Sequence, residues 1–329
     1  MSEIVLNGRF LGLPLTGVNR YAQEVWARLP SERARAIEPG APLSGWKAFL
    51  WEQSVLPLKM QRGETLLSLT NLGPVSVRRQ ILVIHDVSPL DHPEWTSRSF
   101  AKTFQVLLPL LSKRVAVCVT DSEFSKKRIV ERLRLDANAV KCIYPGCSSS
   151  FLNMGVNPEK KPYILAYDFT NPRKNFGRLL QAWSEVRREM PDYTLKVFGP
   201  ARSGSNTARM QSLGVEHLGY VPDTELPTLV REASLLAYPS LYEGFGLPIL
   251  EALVSGTPVV ASDIEIFKEL FDGFVTFVNP LNTKSIANGI IKTLKGNSNE
   301  VSDNIGELTS RFNFDTTTQQ LLDLVDQME

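Results

Sequence analysis

Short apolar runs alternate with stretches of helical spacing along most of this chain, which predicts an α/β protein whose parallel sheets are covered on both faces. In the first half, strand-like runs stand at residues 4–6, 65–68, 80–84, 115–119 and 140–144. Residues 18–29 carry helical spacing behind Thr16, a capping residue, and Asp121-Ser-Glu-Phe-Ser125 opens a basic helix in the same way. Residues 31–65 are poor in signals, although Trp46, Phe49, Leu50, Trp51 and Leu56 suggest an amphipathic segment. A second alternating series begins at 163–166. It continues through a helix at 177–188, strands at 194–198 and near 217–218, a helix at 225–232 and a strand at 233–240. Between the two series lies a Ser-rich stretch followed by Asn157-Pro-Glu-Lys-Lys-Pro162, which reads as a linker. The expected division is therefore 1–155, 156–310 and a C-terminal helix over 311–329 that packs back toward the first domain.

A chain of 329 residues can form two domains, each with its own core. Its three cysteines, Cys118, Cys142 and Cys147, are odd in number and form no Cys-x-x-Cys pair, which argues against a disulfide framework or structural zinc and for a reducing compartment. No basic leader with an apolar run and no long apolar stretch is visible, so the expectation is a cytoplasmic protein. Net charge is +1, but residues 1–155 carry 20 Lys+Arg against 13 Asp+Glu and the remainder 16 against 22. The basic excess, at Lys113, Arg114, Lys126 to Arg128, Arg132, Arg134 and Lys141, suits either a solvated helix face or peripheral contact with the anionic inner face of a membrane. Nucleic acid is not an expected partner, because these cations are not interleaved with stacking aromatics.

The densest chemistry lies in Glu243-Gly-Phe-Gly-Leu-Pro-Ile-Leu-Glu251. It follows the apolar run 233–240 and opens a helix that Gly256 closes, before a further strand at 257–262, the size of one βαβ unit. Gly244 and Gly246 allow close backbone approach, and the N–H groups of Phe245 to Leu247 at the helix start favour a phosphate. Glu243 leaves the turn where a sugar's hydroxyls would lie. Glu251, about two helical turns on, could grip a ribose. The plainer alternative makes Glu243 a helix cap and Glu251 a solvated residue. A dinucleotide fingerprint fails, because Ile249 stands where its third glycine is needed.

Three other places carry candidate chemistry. The run 80–84 ends in His85-Asp86, and a histidine at the carboxyl end of a parallel strand can bond a sugar hydroxyl or exchange protons; the alternative is a structural histidine with Asp86 capping the next turn. His92 and His217 lack such a context and read as structural. Arg173 and Lys174, at a strand-to-helix junction, could offset the charge of a diphosphate and stabilise it as a leaving group. Gly17 and Arg20 suit a phosphate at a helix start, or simply an ordinary capped helix.

Together, Thr16-Gly-Val-Asn-Arg20-Tyr21, Ile84-His-Asp86, Thr120-Asp-Ser-Glu-Phe-Ser125, Pro172-Arg-Lys-Asn175, Leu218-Gly-Tyr-Val-Pro222 and above all Glu243 to Glu251 resemble the retaining glycosyltransferases of family 4. The resemblance implies the GT-B fold, two facing Rossmann-like domains with parallel sheets and an interdomain cleft. It also implies bacterial polysaccharide or lipopolysaccharide assembly, with mannose from GDP-mannose as first donor, a glycan or lipid-linked acceptor, and no cofactor. By the same resemblance Glu243 holds the sugar hydroxyls, Glu251 the ribose, and Arg173 with Lys174 the diphosphate. Tyr220 and Val221 flank the base, His85 contacts the sugar, and Gly17 approaches the diphosphate. Many members place a glycine before the Arg-Lys pair, whereas this chain has Tyr167 and Asp168. No Asp-x-Asp pair occurs, so nothing calls for a metal bridging the diphosphate. Two other readings stay open: a nucleotide-sugar epimerase of the same plan, and a noncatalytic partner that binds nucleotide-sugar or glycan.

Overall fold

The structure is a computed structural model, and it describes residues 4–13, 16–152, 159–167, 171–199, 207–296 and 305–328. Asp168 and residues 153–158 of the expected linker lie outside the described residues. Contacts divide the chain into one unit of Met1–Gly146 with Arg311–Glu329 and another of Cys147–Ser310.

The first unit is built on six parallel strands, β1 (Ile4–Asn7), β2 (Ala34–Ile37), β3 (Thr65–Ser68), β4 (Gln80–Val83), β5 (Val117–Thr120) and β6 (Val140–Cys142), in the order β2-β1-β3-β4-β5-β6. β1, β3 and β4 are buried at every position, because helices cover both faces. Their side chains alternate between two cores. Ile81 and Val83 join Tyr21 and Val25 of the helix Gly17–Trp26 on one face, with Phe314, Leu321 and Val325 of the C-terminal helix Phe314–Asp326. Leu82 and Ile84 meet Phe104, Leu108 and Ile129 of the helices Arg98–Ser112 and Glu123–Leu133 on the other. The helix starts follow their caps: Thr16 accepts from the Asn19 N–H at 3.2 Å and Ser122 from the Ser125 N–H at 3.0 Å. The signal-poor stretch holds β2 and a helical run, Gly45–Leu50 passing through the π-helical turn Trp51–Val55 to Leu56–Leu58.

The division of contacts falls after Gly146 rather than after residue 155. A Cβ on Gly146 would stand 2.1 Å from the Phe314 backbone nitrogen, so the chain at that point is already pressed against the returning C-terminal segment. Thr317 donates to the Tyr144 carbonyl at 2.7 Å beside it.

The second unit has β7 (Lys161–Tyr167), β8 (Thr194–Phe198), β9 (Val215–Gly219), β10 (Ala233–Tyr238), β11 (Val259–Ser262) and β12 (Thr276–Val278), all parallel, in the order β12-β11-β10-β7-β8-β9. Trp183 of the helix Phe176–Glu189 fills the core with Ile164, Leu195, Leu235 and Ile290, and its indole N–H reaches the Leu213 carbonyl at 3.0 Å. The strand order reverses direction between β7 and β10. In open parallel sheets a ligand crevice opens at the carboxyl ends of the two strands flanking such a switch point. Those ends carry Tyr167 with the segment to Lys174, and Tyr238 with the segment to Glu243.

Candidate functional site

The two loops beyond β7 and β10 are joined by backbone before any side chain meets. Leu241 donates its N–H to the Arg173 carbonyl at 2.8 Å, and Asn175, held at φ 58°, donates its amide to the carbonyls of Pro239 at 3.0 Å and Pro280 at 2.7 Å. This brings Lys174 against Glu243. The ammonium donates to Glu243 Oε1 at 2.8 Å and to Tyr238 Oη at 2.6 Å, and lies 5.0 and 4.7 Å from the ring centres of Tyr167 and Tyr238. Arg173 Nη2 stands 3.5 Å from Glu243 Oε2. Lys174 is 7% exposed and Glu243 5%.

Burial pushes the Glu243 carboxyl up, but Arg173, Lys174 and a hydrogen bond from Ser240 outweigh it and hold the group below its ordinary 4.5. Burial and the neighbouring Glu243 raise the Tyr238 phenol well above its ordinary value. The trio of Arg173, Lys174 and Glu243 thus carries one net positive charge at a switch point, the sign that suits an anionic ligand.

Glu251 is buried as well, 5% exposed, in the helix Leu247–Val254, so it is not a solvated helix residue. That helix starts from Gly246 at φ 111°, where a Cβ would come within 3.0 Å of the Phe267 ring. Only glycine fits both the backbone and the space. Gly244 and Phe245 are buried in the same turn, Phe245 packing 6.1 Å from the Phe271 ring, and Leu247 is half-buried at the first helical position. Tyr220, 58% exposed, and Val221 follow the edge strand β9, which β8 separates from β7.

In the first unit, His85 follows β4 and is buried with both ring nitrogens engaged. Nδ1 is 2.6 Å from Asp121 Oδ2 and Nε2 is 2.9 Å from the Leu69 carbonyl, while the ring of Tyr21 stands edge-on at 4.9 Å. Asp86 caps the next turn, accepting from the Ser88 N–H at 2.8 Å. Gly17 is exposed at the first position of its helix, and a Cβ there would meet nothing within 4 Å among the described residues, so none of these demands a glycine. Arg20 is half-buried one turn on. His92 stacks on Trp95 at 3.8 Å, and His217 reaches the Gly199 carbonyl at 3.3 Å. Among the basic residues, Arg128 and Arg132 both pair with Asp91, so part of the charge excess is structural.

Sequence reasoning gave no role to Tyr238 and Ser240, and met Tyr167 only as a departure from the family pattern and Asp121 only at a helix start, yet each secures a residue it did single out. Tyr167 and Tyr238 end their strands, and an aromatic at the carboxyl end of a strand beside a Lys could have been read as its wall. It also missed Glu52, fully buried in the π-helical turn, which accepts from Asn7 Nδ2 at 2.8 Å and faces Arg9 Nε at 3.4 Å.

Residues 153–310 match the family described as glycosyl transferases group 1. The chain carries a group 1 glycosyltransferase domain. Outside that domain the likeness continues: the chain is 28% identical over 242 residues to O-antigen chain mannosyltransferase B of Escherichia coli, covering 68% of this chain and 64% of that protein. It is likewise 28% identical over 257 residues to O-antigen chain mannosyltransferase RfbU of Salmonella typhimurium, covering 74% and 69%. The chain therefore spans a little less than two thirds of the first of these relatives. Among solved structures, WaaG, a glycosyltransferase involved in lipopolysaccharide biosynthesis, covers 99% of this chain at a TM-score of 0.72 and 14% identity, with 99% of its own length matched. Anabaena Alr3699/HepE in complex with UDP covers 99% at 0.73 and 19% identity, with 100% of its own length matched. The fold, two six-stranded parallel α/β sheets, is GT-B. The group 1 domain coincides with the unit that holds Arg173, Lys174, Glu243 and Glu251.

Proposed function

We propose that this protein is a retaining glycosyltransferase that moves a hexose, mannose from GDP-mannose in the first instance, to a hydroxyl of a growing bacterial glycan or lipid-linked acceptor. The observation that carries the reading is the buried Lys174–Glu243 pair, with half-buried Arg173 beside it, at the switch point of the group 1 domain. Departure of a nucleoside diphosphate leaves an oxocarbenium-like sugar, so charge on the leaving group is the larger task. Arg173, Lys174 and the amides at the start of the helix Leu247–Val254 would meet that charge without a divalent ion. Glu243 would hold the sugar hydroxyls and Glu251 the ribose. The choice of mannose rests on what the curated relatives are called.

A thermal-shift series with GDP, UDP, dTDP and ADP tests the donor, since a ligand that binds the native state raises its apparent stability. GDP should raise the midpoint most. A shift with UDP alone would move the reading to a UDP-hexose, and no shift with any of them would overturn it. Loss of transfer in Glu243→Gln with nucleotide binding retained separates a transferase from a noncatalytic binder.

Peripheral contact with an anionic membrane face belongs to the same reading. Among the described residues no helix is long and apolar enough to cross a membrane. The helix Arg98–Ser112, however, exposes Phe100 at 46%, Val106 at 54% and Leu110 at 50% beside Arg98 and Lys102, carries no acidic residue, and leads into Lys113 and Arg114. Apolar groups among cations favour the surface of an anionic bilayer. The protein should sediment with vesicles containing phosphatidylglycerol and not with phosphatidylcholine alone, and Val106→Glu with Leu110→Glu should abolish the effect. Equal behaviour with both lipids would exclude the contact.

A further inference from the structure

His85 is enclosed from every side that packs on it. The Leu69 carbonyl faces Nε2 at 2.9 Å, the Asp121 carboxylate faces Nδ1 at 2.6 Å, and Tyr21 closes the ring edge-on at 4.9 Å. Its backbone is held too: the N–H donates to Asn71 Oδ1 at 2.8 Å, and the carbonyl accepts from Ser125 Oγ at 3.2 Å. A carbonyl only accepts, so Nε2 must be the donor in that contact, and the proton at Nδ1 then lies between the ring and Asp121. We infer that Asp121 is a positioning residue that locks His85 as a doubly hydrogen-bonded ring, so that His85 presents a rigid wall to its ligand and neither gives nor takes a proton during turnover.

The inference rests on the reading of His85 as a sugar contact, and it changes what that contact does. With both nitrogens spoken for, the proton of an attacking acceptor hydroxyl has to leave by another group, and the oxygen of the departing phosphate is the one the reaction itself supplies. The lock also reaches Tyr21, which belongs to the helix Gly17–Trp26 and is clasped in turn by Phe314, its ring centre 5.9 Å away. Asp121 thereby fixes His85 and the helix that begins at Gly17 as one piece within the first unit. Burial disfavours an imidazolium, but Asp121, the hydrogen bond to the Leu69 carbonyl and Asp86 outweigh it and hold the ring above its ordinary 6.5.

The test is a long-range ¹H–¹⁵N spectrum of the histidines in the full-length protein, with the His85 signals assigned by their loss in His85→Asn. In the wild type, His85 should keep its Nε2 proton on the Leu69 carbonyl and a proton between Nδ1 and Asp121. In Asp121→Asn, His85 should show one protonated nitrogen. The rate against pH should then gain a limb near the ordinary histidine value, and turnover should fall about tenfold or more, within the range for misplaced groups at a reacting centre. Asp121→Glu should recover part of the rate and the flat profile. Affinity for GDP, which the proposed function assigns to the other unit, should change less than about twofold, within the independence expected of distant sites. If wild-type His85 loses a ring proton near 6.5, or if Asp121→Asn leaves its nitrogen pattern and the pH profile unchanged, Asp121 has no positioning role. Because the wild-type spectrum needs no substrate, this failure is separable from failure of the donor reading, which the nucleotide series decides.

Discussion

Replacing Lys174 with methionine is expected to destabilise the second unit by about 3–5 kcal/mol, the usual cost of removing one partner of a buried ion pair. The reason is what stays behind. Of its two cations Glu243 would keep Arg173, 3.5 Å away and on its other oxygen, together with the Ser240 hydrogen bond, while Oε1 lost its 2.8 Å ammonium donor in a buried site. Methionine fills a similar volume between the Tyr167 and Tyr238 rings, so the effect measures charge rather than a cavity. Urea unfolding, with hydrogen exchange to resolve the two units, reads the loss in β7 and β10. Turnover should fall about a hundredfold to a thousandfold, as when a donor aimed at developing charge is removed. A double variant, Lys174→Met with Glu243→Leu, should regain much of the stability and none of the activity, because it removes the stranded charge without restoring the cation. Acid sensitivity should follow. The folded Glu243 carboxyl sits below its ordinary 4.5, so the stability it adds is complete above that value and is lost as pH falls through the lowered one. Without Lys174 the depression of the carboxyl should shrink, and with it the stability that acid removes. Unchanged stability in Lys174→Met would mean that the pair is not coupled.

The strands of the two sheet centres were legible because burial on both faces leaves an uninterrupted apolar run, as at 80–84 and 163–166. Strands toward the edges were harder. β2 reads Ala-Arg-Ala-Ile, half-buried at its first three positions, with Arg35 turned out to Glu64 at 2.7 Å, so its composition does not announce a strand. β12 is three residues long, too short for any period. The same division runs through the site. The turn at Glu243 to Glu251 was readable because glycine, proline and carboxylate sit within one short segment. The meeting of Lys174 with Glu243 was not, since it spans 69 positions and arises from the strand order, which no local spacing records. His85 carries the same lesson from the other side. Its place at a strand end was visible in the sequence, whereas the carboxylate that occupies its ring comes from the next strand's end, 36 positions on.

Gly146→Ala is expected to loosen the C-terminal helix from the first unit. The new methyl carbon would stand 2.1 Å from the Phe314 nitrogen, 2.6 Å from the Asn313 carbonyl carbon and 2.9 Å from Phe314 Cα, and all three are backbone, so no rotamer change relieves the clash. Either β6 and its loop or the returning segment must shift. The returning segment has much to lose: Phe314, Leu321 and Val325 are buried against the sheet, and the Thr317 hydroxyl bonds the Tyr144 carbonyl. Overpacking of this kind costs about 1–3 kcal/mol, and the upper end or more applies where the obstruction is main chain. Amides of the helix Phe314–Asp326 should exchange faster while those of β7 and β10 keep their protection, since the latter belong to a separate core. Gly177→Ala supplies the contrast. It lies in the helix Phe176–Glu189 with no described atom within 4 Å of a new Cβ, so alanine there should add up to about 1 kcal/mol through helix propensity alone. If both substitutions proved equally mild, the chain at Gly146 would have room that the observed packing denies it, and the C-terminal helix would be held by its apolar face without that close approach.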